Sequence, residues 1–311
     1  MRHDLPSPAN PLKIGTRGSP LALAQAHEVR QRLALAHDLP EAAFAVVVIK
    51  VTGDLVQDRS LKAIGGKGLF TREIEDALLA GDIDIAVHSM KDMPVLQPDG
   101  LILDCHLPRE DARDAFVSLA AVSLMDLPEG AVVGSSSLRR RAQVLLRRPD
   151  LRVVEFRGNV QTRMRKLNDG VAAATFLAMA GLNRLGMQVG QVAVAPEAML
   201  PAVAQGVIGV ERRVADARAA MMLAAIHDHD TGLCVTAERA FLTRLDGSCE
   251  TPIAGLALLQ DGALWLRGEI LRPDGSASVT GELRGPVQEG AALGEALADD
   301  LLGRAGPGFF G

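Results

Sequence analysis

The strongest constraint on this chain is a repeated order. A short run of β-branched and small residues is followed by a turn of glycine and serine, and then by a helix-forming stretch. Lys13-Ile14-Gly15-Thr16 reads as a strand. Arg17-Gly18-Ser19-Pro20 reads as the turn after it, with Ser19 as helix N-cap and Pro20 at the first helical position. That helix is predicted to reach residue 35. Residues 45–51 suit a buried parallel strand, and 65–68 form a glycine loop before a helix over 69–79. Residues 83–87 make a further strand, ending in His88-Ser89-Met90-Lys91-Asp92-Met93-Pro94.

The order then resumes. A strand over 131–134 leads into Ser135-Ser136-Ser137 as a capping turn and a helix over 138–147. Strand 153–156, helix 160–167, strand 172–176 and helix 177–185 follow, and 203–210 reads as extended. Such alternation predicts an α/β protein with mainly parallel sheets. Ile14-Gly15-Thr16 with Ala24-Gln25 is echoed by Val133-Gly134-Ser135 with Ala142-Gln143, which points to two similar lobes. Both turns precede helix N-termini, where backbone N–H groups suit an anion. Beyond residue 231 the pattern changes. A helix over 231–245 precedes alternating strands at 253–259, 263–271 and 277–283. Asp261-Gly262 and Asp274-Gly275 are the hairpin turns, and a helix over 291–302 closes a small α+β domain.

Charge is concentrated. Between Arg139 and Lys166 stand nine arginines and one lysine against Asp150 and Glu155, a net of +8, in a chain whose total is −5. A solvated helix face is one reading. A cleft for a polyanion is the other, and the preference for arginine over lysine favours it, because guanidinium groups grip carboxylates in bidentate fashion. The overall acidity and the scarcity of aromatics (3%) weigh against nucleic acid as a ligand. That scarcity also predicts aliphatic cores. No apolar run is long enough for a transmembrane helix. Three scattered cysteines fit neither a disulfide framework nor a metal site, so the natural setting is a reducing cytoplasm. Residues 1–11, polar and proline-rich, are expected to form a disordered tail.

Three positions invite chemistry. Cys249 lies in the loop Asp246-Gly247-Ser248-Cys249-Glu250, whereas Cys105 and Cys234 sit in apolar surroundings that suggest packing. Asp92 follows Lys91 just past a strand end, where α/β sheets bind ligands; it reads either as a proton-transfer carboxylate or as a turn-former before Met93-Pro94. His88 reads as a structural histidine or as a base.

Several strings together resemble the porphobilinogen deaminase (hydroxymethylbilane synthase) family. They are Lys13-Ile14-Gly15-Thr16-Arg17 with Ser19-Pro20-Leu21-Ala22, Gly65-Gly66-Lys67-Gly68-Leu69-Phe70, Ala86-Val87-His88-Ser89-Met90-Lys91-Asp92 and Gly134-Ser135-Ser136-Ser137-Leu138-Arg139-Arg140. Arg157-Gly158-Asn159-Val160, Ala180-Gly181-Leu182-Asn183-Arg184-Leu185-Gly186 and Leu245-Asp246-Gly247-Ser248-Cys249 complete the set, collinear over about residues 12–302.

The resemblance implies a transferase that deaminates four porphobilinogen molecules and polymerises them onto a dipyrromethane primer, releasing the linear tetrapyrrole hydroxymethylbilane. It implies that Cys249 holds that cofactor by a thioether, and that Asp92 is the catalytic acid, stabilising the cationic azafulvene-type intermediate. Lys91, Asp92, Ser137, Arg139 and Arg140 would bind the cofactor. Arg17, Ser19, Gln25, Arg157, Arg163 and Arg184 would line the substrate site. Lys67 and Ser89 are lesser candidates, and Arg147, Arg148 and Arg165 are assigned to solvated surface. The family often carries a lysine where Ala63 stands here, with Lys62 displaced by one residue.

The implied fold has two lobes like those of periplasmic binding proteins. Lobe one comprises 12–107 and 201–226, lobe two 112–199, and a cofactor-bearing domain 231–311. The chain would act as a monomer, with no metal, membrane or nucleic-acid partner. The rival functions are a non-catalytic binding protein for a small anion, which needs no Cys249, and nucleic-acid binding through the Arg139–Lys166 run.

Overall fold

A computed structural model describes residues 5–51, 71–247 and 251–310. Cys249 and Lys67 lie outside them. In chain order the first elements are β1 (Leu12–Thr16), α1 (Pro20–Ala36), β2 (Phe44–Val48), α2 (Arg72–Ala80), β3 (Ile85–Ser89) and β4 (Leu101–His106). Then come β5 (Asp114–Ser118), β6 (Val132–Gly134), α3 (Leu138–Arg147), β7 (Arg152–Val154), α4 (Val160–Asn168), β8 (Ala174–Ala178), α5 (Met179–Arg184) and β9 (Val192–Ala193). The chain continues through β10 (Ile208–Arg213), α6 (Ala217–Ala224) and α7 (His229–Arg244). It closes with β11 (Ile253–Gln260), β12 (Ala263–Leu271), β13 (Ser278–Pro286) and α8 (Gly290–Ala305).

Contacts divide the chain into two compact units, Met1–Arg109 with Val207–Gly232, and Glu110–Gly206 with Leu233–Gly311. The chain leaves the first unit after Arg109 and re-enters it at Val207. The C-terminal segment groups with residues 110–206.

Each unit holds a five-stranded sheet of the same design. The first has the order β2-β1-β3-β10-β4 and the second β7-β6-β8-β5-β9. In both, the first three strands pair in parallel, while the fourth, β10 or β5, runs antiparallel to both its neighbours. Strand direction is therefore mainly parallel, as expected, although half the pairings are antiparallel. The echo between 14–25 and 133–143 corresponds to β1–α1 and β6–α3, the same position in each sheet.

Local chemistry starts the helices where the turns predicted. The Ala22 N–H donates to the Ser19 hydroxyl at 3.3 Å, with Pro20 opening α1. The Arg140 N–H donates to the Ser137 hydroxyl at 3.4 Å, and the Thr162 N–H to Asn159 Oδ1 at 2.9 Å. Each such cap contributes about 1 kcal/mol.

Three expectations are corrected, and two strands are added. Leu5 packs on the first unit's core and Ser7 bridges Asn10, so residues 5–11 are not a disordered tail. Residues 203–206 turn rather than extend. Ala204 has φ 57° and its N–H donates to the buried Glu238 carboxylate, while Gly206 has φ 91° and packs against the Glu110 carbonyl, where a Cβ does not fit. The cores are not purely aliphatic, because Phe44, Phe116, Phe156, Phe176 and Phe241 are all fully buried. Finally, β4 and β5 were not assigned from sequence, since Asp104 and Asp114 interrupt or open their apolar runs.

Gly134, at the end of β6, lies under the Phe156 ring with no room for a methyl group. Gly134→Ala is therefore expected to cost about 1–3 kcal/mol in a urea melt, because neither the ring nor the strand can retreat without strain. An unchanged midpoint would show that the ring moves freely.

In the C-terminal segment β11–β13 form an antiparallel meander. Its first turn places Asp261 at φ 53° and Gly262 at φ 75°, the paired left-handed geometry of a tight hairpin. Helix α8 covers one face, and Gly294 lets it approach the α7 backbone at Ala237 and Phe241. Among the described residues no helix is long and apolar enough to cross a membrane.

Candidate active site

In the first unit a pocket of about 80 Å³ opens beside the carboxyl end of β3. Three segments build it. The β1–α1 turn supplies Arg17 and Ser19, the first turns of α1 supply Leu21, Ala22 and Gln25, and β3 with the turn after it supplies Val87, His88, Ser89, Asp92 and Met93; Thr71 completes the wall. Tight turns place the polar groups. Gln25 Nε2 donates to the Ser89 hydroxyl at 2.8 Å, and that hydroxyl lies 3.1 Å from Gln25 Oε1. The Met90 N–H donates to the Val207 carbonyl at 3.0 Å, which anchors the turn that presents Asp92. The Asp92 side chain is exposed. Five expected residues thus meet here: Arg17, Ser19, Gln25, Ser89 and Asp92. Lys91 is half-buried in the same turn and does not line the pocket.

Beneath lies a buried pair. His88 Nε2 and Glu211 Oε2 are 3.2 Å apart, the histidine on β3 and the glutamate on β10.

In the second unit the serine loop before α3 is held by its own hydroxyls. The Phe156 N–H donates to Ser136 Oγ at 2.9 Å and the Ser137 N–H to Ser135 Oγ at 3.3 Å. Behind it Arg139 and Arg140 are buried and converge on Asp114, at 2.6 and 2.7 Å. Arg139 also donates to Gln143 Oε1 and the Leu200 carbonyl, and Arg140 to the Phe176 carbonyl. Gln205 Nε2 donates to Asp114 at 2.9 Å. Burial alone would raise the Asp114 pKa, but the two guanidiniums overcome it and hold the carboxyl far below its ordinary value. Arg139 Nε remains a buried donor with no acceptor among the described residues.

Several other arginines, in the basic run and beyond it, are tied down individually. Arg163 Nε donates to the Gly158 carbonyl at 3.0 Å, Arg184 to the Gly206 carbonyl at 3.1 Å, and Arg157 lies 3.6 Å from Glu155. Arg148 is not a solvated surface charge. It donates to the carbonyls of Leu124 and Leu127 and to Asp150, pinning the 124–128 loop. Arg165 is exposed, as expected.

Asp114, Gln143, Gln205 and Glu211 escaped the sequence reading. Asp114 had a signal, a lone acid between Arg113 and Ala115-Phe116, but its partners lie about 25 residues away. Among the described residues no group of three or more His, Cys, Asp or Glu could hold a metal ion.

One carboxylate among an arginine and small polar groups, and a capped serine loop ahead of two arginines, sit on two sheets of one design. They define an α/β protein equipped for acidic ligands that also donate hydrogen bonds.

The comparisons narrow this class. A model described as "Porphobilinogen deaminase, dipyromethane cofactor binding domain" matches residues 12–221, and "Porphobilinogen deaminase, C-terminal domain" matches 232–303. The porphobilinogen deaminase of Paracoccus denitrificans is 69% identical over 98% of both chains. The chloroplastic porphobilinogen deaminase of Pisum sativum is 53% identical over 96% of this chain and 83% of that one. The chain therefore belongs to the porphobilinogen deaminase family. It is a hydroxymethylbilane synthase, a transferase that joins porphobilinogen units into hydroxymethylbilane with a dipyrromethane cofactor. Solved structures with a distant likeness include the aliphatic sulphonate binding protein SsuA of Escherichia coli, with a TM-score of 0.40 and 15% identity over 76% of this chain and 70% of that one. A periplasmic substrate-binding protein of Coxiella burnetii gives 0.41 and 15% over 73% and 96%. At that distance they add nothing to the strand orders above.

Proposed function

We propose that Asp92 is the catalytic carboxylate and proton acceptor of each coupling, and that Cys249 carries the dipyrromethane by a thioether. The observation that carries the first part is the pocket that gathers Arg17, Ser19, Gln25, Ser89 and Asp92 from three separate segments. The substrate brings two carboxylates, a pyrrole N–H and an aminomethyl group. Arg17 and the capped start of α1 suit the carboxylates, while the Asp92 carboxylate accepts the pyrrole N–H. Beside it, the positive charge that develops when ammonia departs is offset at close range. Asp92 then accepts the proton that the attacked ring releases.

The residues fit the cofactor too. A dipyrromethane presents four carboxylates and two N–H groups, and supplies when bound the ring position to which the first unit is joined. Arg139 Nε is a buried donor awaiting an acceptor, and Lys91, Ser137 and Arg140 are the further groups that would hold the cofactor. Asp114 fixes both guanidiniums, so they meet an acidic group already oriented. Arg157, Arg163 and Arg184 would serve the lengthening chain.

The functional organisation we propose keeps two lobes and a C-terminal carrier domain. The chain would act as a monomer in the cytoplasm, a reducing setting that suits the two buried thiols Cys105 and Cys234. Burial pushes the Cys105 thiol up to about 12, which makes it a poor rival nucleophile.

Intact-protein mass spectrometry tests the attachment. The unsubstituted protein should exceed its sequence mass by two linked pyrroles, and Cys249→Ser should lose both the excess and all measurable turnover. An excess that persists in Cys249→Ser would place the thioether elsewhere.

A further inference from the structure

His88 is left over by the reading above. It lines the Asp92 pocket, yet its side chain is almost wholly buried and its Nε2 faces Glu211 at 3.2 Å. A carboxylate accepts hydrogen bonds, so Nε2 is the ring nitrogen that donates to Glu211. Among the described residues nothing else hydrogen-bonds the ring, and Nδ1 is not one of the fully occluded polar atoms that lack a partner. His88 itself is one of the residues that line the pocket with Asp92. A histidine with one nitrogen on a buried carboxylate and a place in the wall of a substrate site is arranged to take up and release protons.

We propose that His88, backed by Glu211, is a second proton-handling group of the coupling reaction, clearing Asp92 between additions. The proposal rests on the role given to Asp92. In each addition the aminomethyl group, bound in its ammonium form, breaks its C–N bond and leaves as neutral ammonia with the bonding pair, so it takes no proton from Asp92. A carbon–carbon bond forms from the terminal ring of the growing chain, and that ring loses its α-hydrogen as a proton, the C–H pair returning to the ring. Asp92 accepts the proton and passes it to Nδ1 of His88. The resulting imidazolium is held by Glu211 until Nδ1 gives the proton to water.

The setting supports transient positive charge. Besides Glu211 on β10, the buried Glu75 on α2 faces the pair, and Asp92 and Arg17 share the pocket. Burial raises the pKa of Glu75, reinforced by the like charge of Glu211, which marks an acidic surrounding for the ring. Glu211 Oε1 has no hydrogen-bond partner among the described residues, which leaves acceptor capacity to spare for a charged ring.

The test uses the full-length, cofactor-loaded protein. His88→Ala should keep the two-pyrrole mass excess and lose about 10²-fold in kcat, with KM moved less than about threefold. Added imidazole should restore part of kcat, a rescue that a purely structural role does not permit. Glu211→Gln should lower kcat without lowering cofactor load. An unchanged kcat, or a loss expressed in KM alone, overturns the proposal. So does a loss that imidazole fails to rescue. Should the variants fail to fold, the ¹⁵N-histidine spectrum of the unsubstituted protein decides. Nδ1 should be unprotonated at the pH of maximal activity, and a proton on that nitrogen overturns the proposal. If Asp92→Asn remained fully active, the parent reading would fall instead, so the two failures are distinguishable.

Discussion

Asp92→Asn should lower kcat by about 10²- to 10⁴-fold while leaving KM within a few-fold of the unsubstituted enzyme. The amide keeps the size and shape of the side chain, so the turn over Met90–Asp92 and its hydrogen bond to Val207 should persist. What disappears is the negative charge beside the departing ammonia and the site that takes the ring proton. Both matter more in the transition state than in the bound substrate, which is why the loss falls on kcat. Every addition uses the same group, so partly extended chains should accumulate on the protein and appear as a ladder of masses. Asp92→Glu should recover only part of the rate, because one extra methylene displaces the carboxylate within a pocket of fixed walls. Steady-state kinetics with porphobilinogen and intact mass read both effects. Full turnover in Asp92→Asn would remove the acid from the mechanism.

The second large effect concerns stability. Asp114→Asn should cost about 3–5 kcal/mol, since it leaves two buried guanidiniums without their counter-charge. The structure concentrates the loss. Asp114 is fully buried and accepts from Arg139, Arg140 and Gln205, while Gln143 extends the network to the Leu200 carbonyl and Glu269. Its pH dependence has a definite sign. The folded-state pKa lies below the unfolded value, so the contribution is complete above the ordinary carboxylate range, near pH 4, and falls away as pH drops toward the folded value. Urea denaturation should therefore show the largest difference between variant and parent at neutral pH and a shrinking one in strong acid. A difference below 1 kcal/mol at pH 7 would mean that the arginines find another partner. The variant should also load cofactor poorly, since Arg139 and Arg140 would no longer be held in register.

Much of the frame was legible because it is local. Ser19-Pro20 and Ser137 start helices through contacts three residues away, and the two βα units echo one another because each closes the same strand–turn–helix geometry. Leu138–Arg147 matched its prediction at both ends for that reason. The strands β4 and β5 were missed because their stability comes from neighbours far along the chain. Strand β10 arrives from residue 208 to pair with both β3 and β4, and no window of sequence contains that partnership. The turn at 203–206 was read as extended for the same reason, since its left-handed residues are paid for by Glu238 and the packing against Glu110.

The candidate site divides along the same line. Sequence alone determined which residue types are present and where the turns lie: an acid after a strand, a serine cap before two arginines, a cysteine in a glycine-serine loop. Those properties depend on bonds and hydrogen bonds within a few residues. Only the tertiary structure decided which charges remain available. The +8 run read as a solvated face or, more favourably, as a cleft for a polyanion because Asp114 lies outside it, whereas folding buries Arg139 and Arg140 on that single carboxylate and turns Arg148 onto loop carbonyls. Charge pairing in a low-dielectric interior depends on distance in space, and distance in space is set by chain crossings that no local pattern encodes.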